Sequence, residues 1–426
     1  MNDILLKHGK QELSCTLPKN WDSNIIDSIF EDKNADLAEM VKTAMQNPVG
    51  SEKLERIVKP GETVCIVFSD ITRSWQRTDL YLPVIVEELE NAGINSDDIT
   101  LLCGLGTHRK HTEEEKKILT GSLYGKYKII DHDCDDLDNI INLGTTVRGT
   151  SAEINRIAVE ADRLILTGGI VFHLMAGYSA GRKSIIPGIS SRKTILENHA
   201  LSLAPQKGMG SNPEIGCDKL GGNPVHEDMM EIQELIKPDF IVNIIPGKDL
   251  PGAAVAGDYL KAHEYGCKLL RDFFRVPITE KKDVVIASAG GFPADINFYQ
   301  SVKSLINASQ ALNTGGTLIL VSRCNEGLGN PLMEEMLTDF SSMAERETFL
   351  RNNYSIGRFI AYYGCELASK FTLLLVTDME EPSLEKAGIH CCKTLEEAIE
   401  MVQKETSSTD AYIIPDASHT FPALKK

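Results

Sequence analysis

The sequence predicts an α/β protein of two α/β domains, each with a mainly parallel sheet, and an active-site cleft between them. Three observations predict it. Short apolar runs alternate with helical patterns along nearly the whole chain, which is the rhythm of βαβ units. At 426 residues the chain is too long for one ordinary core. Glycine-rich segments follow the apolar runs, where an open parallel sheet presents its strand ends to a ligand.

The elements follow in order. Residues 64–68 read as a buried strand and 80–89 as the helix after it. Residues 99–103 are the next strand, and Thr112 with Glu115 forms a capping box for a helix through Leu119. Strands over 163–167 and 240–245 continue the series, with helices over 194–201 and 259–274. A second series begins after Lys281-Lys282-Asp283, with strands over 284–287, 317–321, 371–377 and 411–414 and a helix over 395–402. The expected domains are 1–275 and 276–426, the second closing the cleft.

Composition excludes several classes. Hydrophobic residues at 42% and charged residues at 25% are the balance of a folded soluble protein. A net charge of −17 argues against non-specific nucleic-acid binding and against docking on an anionic membrane. The start, MNDILLKHGKQELSC, has no signal-peptide core, and no stretch approaches the roughly 20 apolar residues of a membrane helix. The ten cysteines are scattered without a CxxC spacing, so they are expected to be thiols in a reducing cytoplasm.

The informative residues fall at the expected strand ends. Ser69-Asp70-Ile71-Thr72-Arg73 follows the first strand, Gly104-Leu105-Gly106-Thr107-His108 the second, and Gly168-Gly169 with His173 the third. Gly290-Gly291 opens the corresponding loop of the second half. Gly177 to Ser184 resembles a P-loop but fails its spacing: only three residues separate its glycines, and Arg182 intervenes before Lys183. His108 and His173 read either as structural histidines or as a pair that exchanges protons with opposite faces of one substrate carbon. His199 is a third candidate, but the zinc-hydrolase spacings HExxH and HxH are missing. Arg73 beside Asp70 reads as a surface ion pair or as a carboxylate clamp. Tyr299, Gln300 and Lys303 share one helix face, solvated or part of a site.

Taken together, these segments resemble the nickel-pincer-nucleotide lactate racemase family, from about Ser69 to Lys303. The runs GTHRKHTEEE, AGYSAGRKSIIPGISSRKTILENH, GGNPVHEDM and NFYQSVKS carry the resemblance. It implies that Lys183 tethers the nucleotide through a thioamide and that His199 is the protein ligand to nickel. His108 and His173 would be the acid/base pair. Ser69, Asp70, Arg73, Tyr299, Gln300 and Lys303 would line the substrate pocket, with Asp70 orienting Arg73 or a neighbouring group. The soft sulfur ligands would come with the cofactor, so no cysteine cluster is needed.

The implied activity is inversion of a hydroxyl-bearing carbon of lactate or a related 2-hydroxy acid, by reversible hydride transfer to the pincer ring. The α-hydrogen of a hydroxy carboxylate is too weakly acidic for simple removal by histidine. Cofactor-synthesis enzymes would be maturation partners. Two alternatives stay open: epimerisation of a longer sugar acid, and a cofactor-binding protein without turnover, which would need Lys183 and His199 but not both other histidines. Ser74-Trp75 stands where the family leads one to expect proline, a change expected to reshape the substrate pocket. Past Lys303 the motif resemblance fades.

Overall fold

A computed structural model describes residues 3–28, 30, 36–248, 250–380, 382–405 and 410–425. The chain divides into two compact units. A mid-chain unit comprises Phe30–Leu203 and Asn212–Asp272; a terminal unit comprises Met1–Ile29, Ala204–Ser211 and Phe273–Lys426. Both are α/β, and their large sheets are mainly parallel, as expected.

The mid-chain sheet has six strands in the order Pro251–Gly257, Phe240–Pro246, Arg163–Gly169, Val64–Ser69, Ile99–Gly104 and Lys128–Asp131. All neighbours are parallel except the edge strand Pro251–Gly257. The strand VCIVFS is buried through its first five residues because helices cover both sheet faces. The helix Thr78–Asn91 turns Tyr81, Leu82, Ile85, Val86 and Leu89 inward, a three-to-four-residue spacing that lays one stripe on the sheet. The helix Glu113–Thr120 begins at the expected capping box, with Thr112 and Glu115 each satisfying the other's backbone amide. Register sets Ser69 beside Gly104, so the informative loops leave the sheet from neighbouring strand ends.

The terminal sheet runs in the order Ile389–Cys392, Thr372–Val376, Leu312–Val321, Lys282–Ser288, Asp410–Ile414 and Asp22–Ile25, all parallel. Its last strand corrects the expectation that residues 1–275 form one domain. Asp22–Ile25 pairs with Asp410–Ile414, and Ile4, Leu6, Leu17 and Trp21 enter the core around Ile286, Ile319 and Leu374. The reason is burial: the N-terminal hairpin Asp3–His8 and Gln11–Thr16 is amphipathic, and its apolar face is covered there. Among the described residues no helix is long and apolar enough to cross a membrane. All ten cysteines are free thiols.

Candidate active site

At the end of Val64–Ser69, Asp70 caps a short 3-10 turn over Ile71–Gln76, accepting the Thr72 amide at 2.7 Å. Its other oxygen accepts from His108 Nδ1 at 2.7 Å. Asp70 is only 6% exposed. Burial alone would raise its carboxyl, but the hydrogen bond and charge of His108, with help from Thr72 and Arg73, hold it at about 2. An ionised acceptor requires His108 Nδ1 to carry the proton, which leaves Nε2 as the basic nitrogen. The sequence expectation had Asp70 orient Arg73 or a neighbouring group; the group it meets is His108. Arg73 instead points its exposed guanidinium to the Thr72 hydroxyl at 2.7 Å.

The loop carrying His108 is stitched down by its glycines. Gly106 sits at φ +57° and donates its amide to the Gly188 carbonyl at 2.9 Å. A Cβ on Gly104 would lie 3.2 Å from the Gly188 Cα, so these two backbones meet without side chains between them.

His111, in the same run, was not singled out by sequence reasoning. Its Nδ1 and backbone amide both donate to Asp131, at 2.8 and 2.9 Å, and its Nε2 accepts the Ile71 amide at 3.1 Å. It therefore braces the loop of His108 against the turn of Asp70. Cys103, His111 and Asp131 are near enough to hold a metal, the one such group found among the described residues. Yet both imidazole nitrogens are engaged, and burial pushes the Cys103 thiol well up. The cluster reads as a brace.

Past Arg163–Gly169 the chain forms a small hairpin of Phe172–His173 with Gly177–Tyr178. His173 Nδ1 accepts the amides of Met175 and Ala176, at 3.2 and 3.1 Å. A neutral ring must then carry its proton on Nε2, which lies 3.2 Å from Lys183 Nζ. The proton points at the amine, which accepts it when Lys183 is in its neutral form. The electrostatics agree: burial first, then the charges of Arg182 and Arg73, bring Lys183 down to about 7. Lys183 is a nucleophilic amine near neutral pH.

The turn bearing Lys183 is a single 3-10 turn, Gly181–Ser184, and no phosphate-binding helix follows it. Ala180 before it adopts φ 57°, ψ −166°, a region that L-residues rarely occupy. Arg182 is buried, donating to the carbonyls of Ala176 and Tyr178 at 2.7 and 3.2 Å. It clamps the His173 hairpin, a use the failed P-loop spacing leaves open.

His199 lies on the helix Arg192–Ala200, whose N-cap is Ser191. It is 1% exposed, and its Nδ1 donates to the Ile195 carbonyl at 2.8 Å. Nε2 is then the nitrogen with a lone pair, the form a metal requires. Burial, then the charge of Lys183, lowers His199 to about 3, so protons do not compete for that lone pair.

Trp75 packs against the mid-chain core, and a Cβ on Gly169 would lie 2.4 Å from its ring. The indole and the glycine are thus a packing pair, which removes the reason to assign Trp75 to substrate choice. In the terminal unit, Asn297 caps the helix Phe298–Ser309. Tyr299 and Gln300 are partly exposed there, Lys303 is exposed, and Lys303 Nζ donates to Gln300 Oε1 at 2.9 Å.

Parallel sheets with imidazoles and a near-neutral amine gathered at the strand ends define the class: an α/β enzyme equipped for proton transfer. The lactate racemase N-terminal domain family matches residues 8–210 and the lactate racemase C-terminal domain family residues 278–419. The lactate racemase of Thermoanaerobacterium thermosaccharolyticum is 33% identical over 333 residues, covering 77% of this chain and 76% of that protein. That of Lactiplantibacillus plantarum is 30% identical over 386 residues, 89% of each. The structure of the Thermoanaerobacterium thermosaccharolyticum apoprotein superposes with a TM-score of 0.90 at 28% identity, covering both chains fully. The chain belongs to the lactate racemase family, and is an isomerase of the racemase class. The C-terminal match extends well beyond Lys303, where the motif resemblance faded.

Proposed function

We propose that this chain inverts the hydroxyl-bearing carbon of lactate or a related short 2-hydroxy acid, using a nickel-pincer nucleotide held covalently on Lys183 with His199 as nickel ligand. The observation that carries the reading is the His173–Lys183 pair, whose tautomer suits a neutral amine that burial brings within reach near pH 7. A tether through a thioamide needs that amine, and nickel needs the unprotonated Nε2 of His199. The residues present therefore fit the group. When bound, it supplies a reversible acceptor for the hydrogen on the inverting carbon together with its electron pair.

The chain's own residues handle protons and orientation. His108 Nε2 takes the substrate hydroxyl proton, and the ionised Asp70 at Nδ1 fixes the ring and offsets the charge that forms. His173 returns a proton to the carbonyl oxygen on the other face from its imidazolium form, reached when Nδ1 releases the amides of Met175 and Ala176 and takes up a proton. Arg73 clamps the carboxylate, a geometry suited to guanidinium, and Ser69 lines the pocket. Tyr299, Gln300 and Lys303 are assigned to substrate binding on their motif. Loading takes place in the cytoplasm, with the cofactor-synthesis enzymes as partners.

The test uses protein matured alongside those enzymes and lactate deuterated at the inverting carbon. Retention of the label in inverted product is expected, because the hydrogen returns to the same carbon without meeting water. Wash-out at each turnover would sink the reading, since it means the histidines deprotonate carbon directly.

A further inference from the structure

Arg182 is a buried cation of the mid-chain unit. Among the described residues its hydrogen bonds go to two backbone carbonyls, His263 Nε2 lies 3.3 Å from Nη1, and no carboxylate meets it. A buried charge without a counter-charge is costly. Its Nε has no partner, although it is buried. The side chain lines a cavity of about 40 Å³, with His226, Gln233, His263, Tyr259 and Glu264. Two more polar atoms there are buried and unpartnered, His226 Nδ1 and Gln233 Oε1. Gln233 is 1% exposed.

We propose that this cavity binds one small monovalent anion of halide size. The geometry points to it because three groups that can donate converge on one space beside an uncompensated guanidinium. Arg182 Nε is a donor in every state, His226 Nδ1 donates in one neutral tautomer, and the Gln233 amide donates after a half-turn that exchanges its oxygen and nitrogen. A space of this size holds a few waters or one halide, and excludes larger organic anions.

The surrounding charges favour the same occupant. Burial, then Arg182, lowers both His226 and His263 to about 3, so both are neutral and the guanidinium is the positive charge an anion would meet. His263 spends Nε2 on the Ser179 carbonyl at 2.9 Å, with the Cys267 sulfur 3.7 Å away. The Cys267 thiol and the Tyr259 hydroxyl are both raised to about 12 and stay neutral. Glu264 is the one carboxylate among these groups, and its side chain is on an exposed residue.

The experiment uses the full chain without cofactor or substrate, so its outcome is independent of the racemase reading. Bromide is the probe and gluconate, too large for the cavity, holds ionic strength constant. We expect a bromide anomalous peak within hydrogen-bond reach of Arg182 Nε, and a higher melting temperature in bromide than in gluconate. Gln233→Leu keeps the guanidinium but removes one donor, and should weaken bromide roughly ten- to a hundredfold. Arg182→Met should abolish the effect; if that chain does not fold, Gln233→Leu still decides the matter. Density for water alone with equal melting temperatures in the two salts would overturn the site, as would unchanged bromide affinity in Gln233→Leu.

Discussion

His108 and His173 each follow a glycine-rich end of a strand in the same sheet, yet opposite kinds of neighbour hold their rings. His108 gives its Nδ1 proton to an ionised carboxylate. His173 receives two backbone amides at the same ring position. The first arrangement leaves Nε2 able to take a proton; the second leaves Nε2 as a hydrogen-bond donor. Two histidines at like places in the fold thus rest in opposite tautomers before any substrate arrives. His173 becomes imidazolium only by releasing the amides of Met175 and Ala176, whereas His108 does so against a waiting negative charge. What distinguishes them is the atom opposite Nδ1, and position along the strand does not determine it.

The largest effect should come from the partner of His173. Lys183→Ala is expected to abolish covalent nucleotide in matured protein, read by intact mass, and activity with it. An equal adduct on both proteins would return Lys183 to a structural role. In the unmodified chain the same amine should react with an acylating reagent near pH 7, well before the exposed lysines, because its value is about 7 rather than 10.5. The sign also bears on stability: the unfolded chain holds more protons between these values, so stability should rise with pH across that window.

Next come the rings themselves. His108→Ala and His173→Ala should each lower inversion by about 10²–10⁴-fold in both directions, since a full turnover needs one acid and one base. A loss of less than about tenfold in either variant would break the comparison drawn above. Asp70→Asn should lower kcat more than it raises KM, because the amide can donate to Nδ1 and favour the wrong tautomer.

Asp70 gives a smaller but sharper stability effect. Its folded value of about 2 lies below the ordinary 3.8, so its contribution is present above pH 4 and lost as pH falls toward 2. That contribution is about 2 kcal/mol for so buried a group. Acid denaturation of Asp70→Asn should be flatter over this range by about that amount. A curve parallel to that of the native chain would mean that the carboxylate is not held by His108.

The smallest change tests the strained turn before Lys183. Ala180→Gly should stabilise the fold by up to about 1 kcal/mol, because glycine adopts φ 57°, ψ −166° without a Cβ penalty. A lower melting temperature would show that the methyl, packed against Gly168, outweighs the strain.

Much of this was legible in the chain. Apolar runs of strand length, a capping box at Thr112 and Glu115 and glycines at strand ends placed the main elements within a few residues, since each signal is local. The turn that carries Lys183 was singled out by its motif. The N-terminal strand was not: Asp22–Ile25 is short and mostly polar, and its pairing depends on Asp410–Ile414, far away in sequence. The roles within the site depended on the same kind of distant pairing. Asp70 precedes Arg73 by three residues, yet its acceptor atom turns to His108, thirty-eight positions on. His111 looked like an accessory to a motif until Asp131 and Ile71 came to meet it.

By itself, then, the sequence determined which segments are strand, helix and turn, and which residue types stand at the strand ends, because those follow from periodicity and backbone preference. Only the tertiary structure decided which nitrogen of each histidine carries a proton, that burial brings Lys183 down to about 7, and that no carboxylate among the described residues meets Arg182. Those states follow from burial and from single hydrogen-bond partners brought together by the sheet, and a partner across the fold leaves no mark on the local sequence.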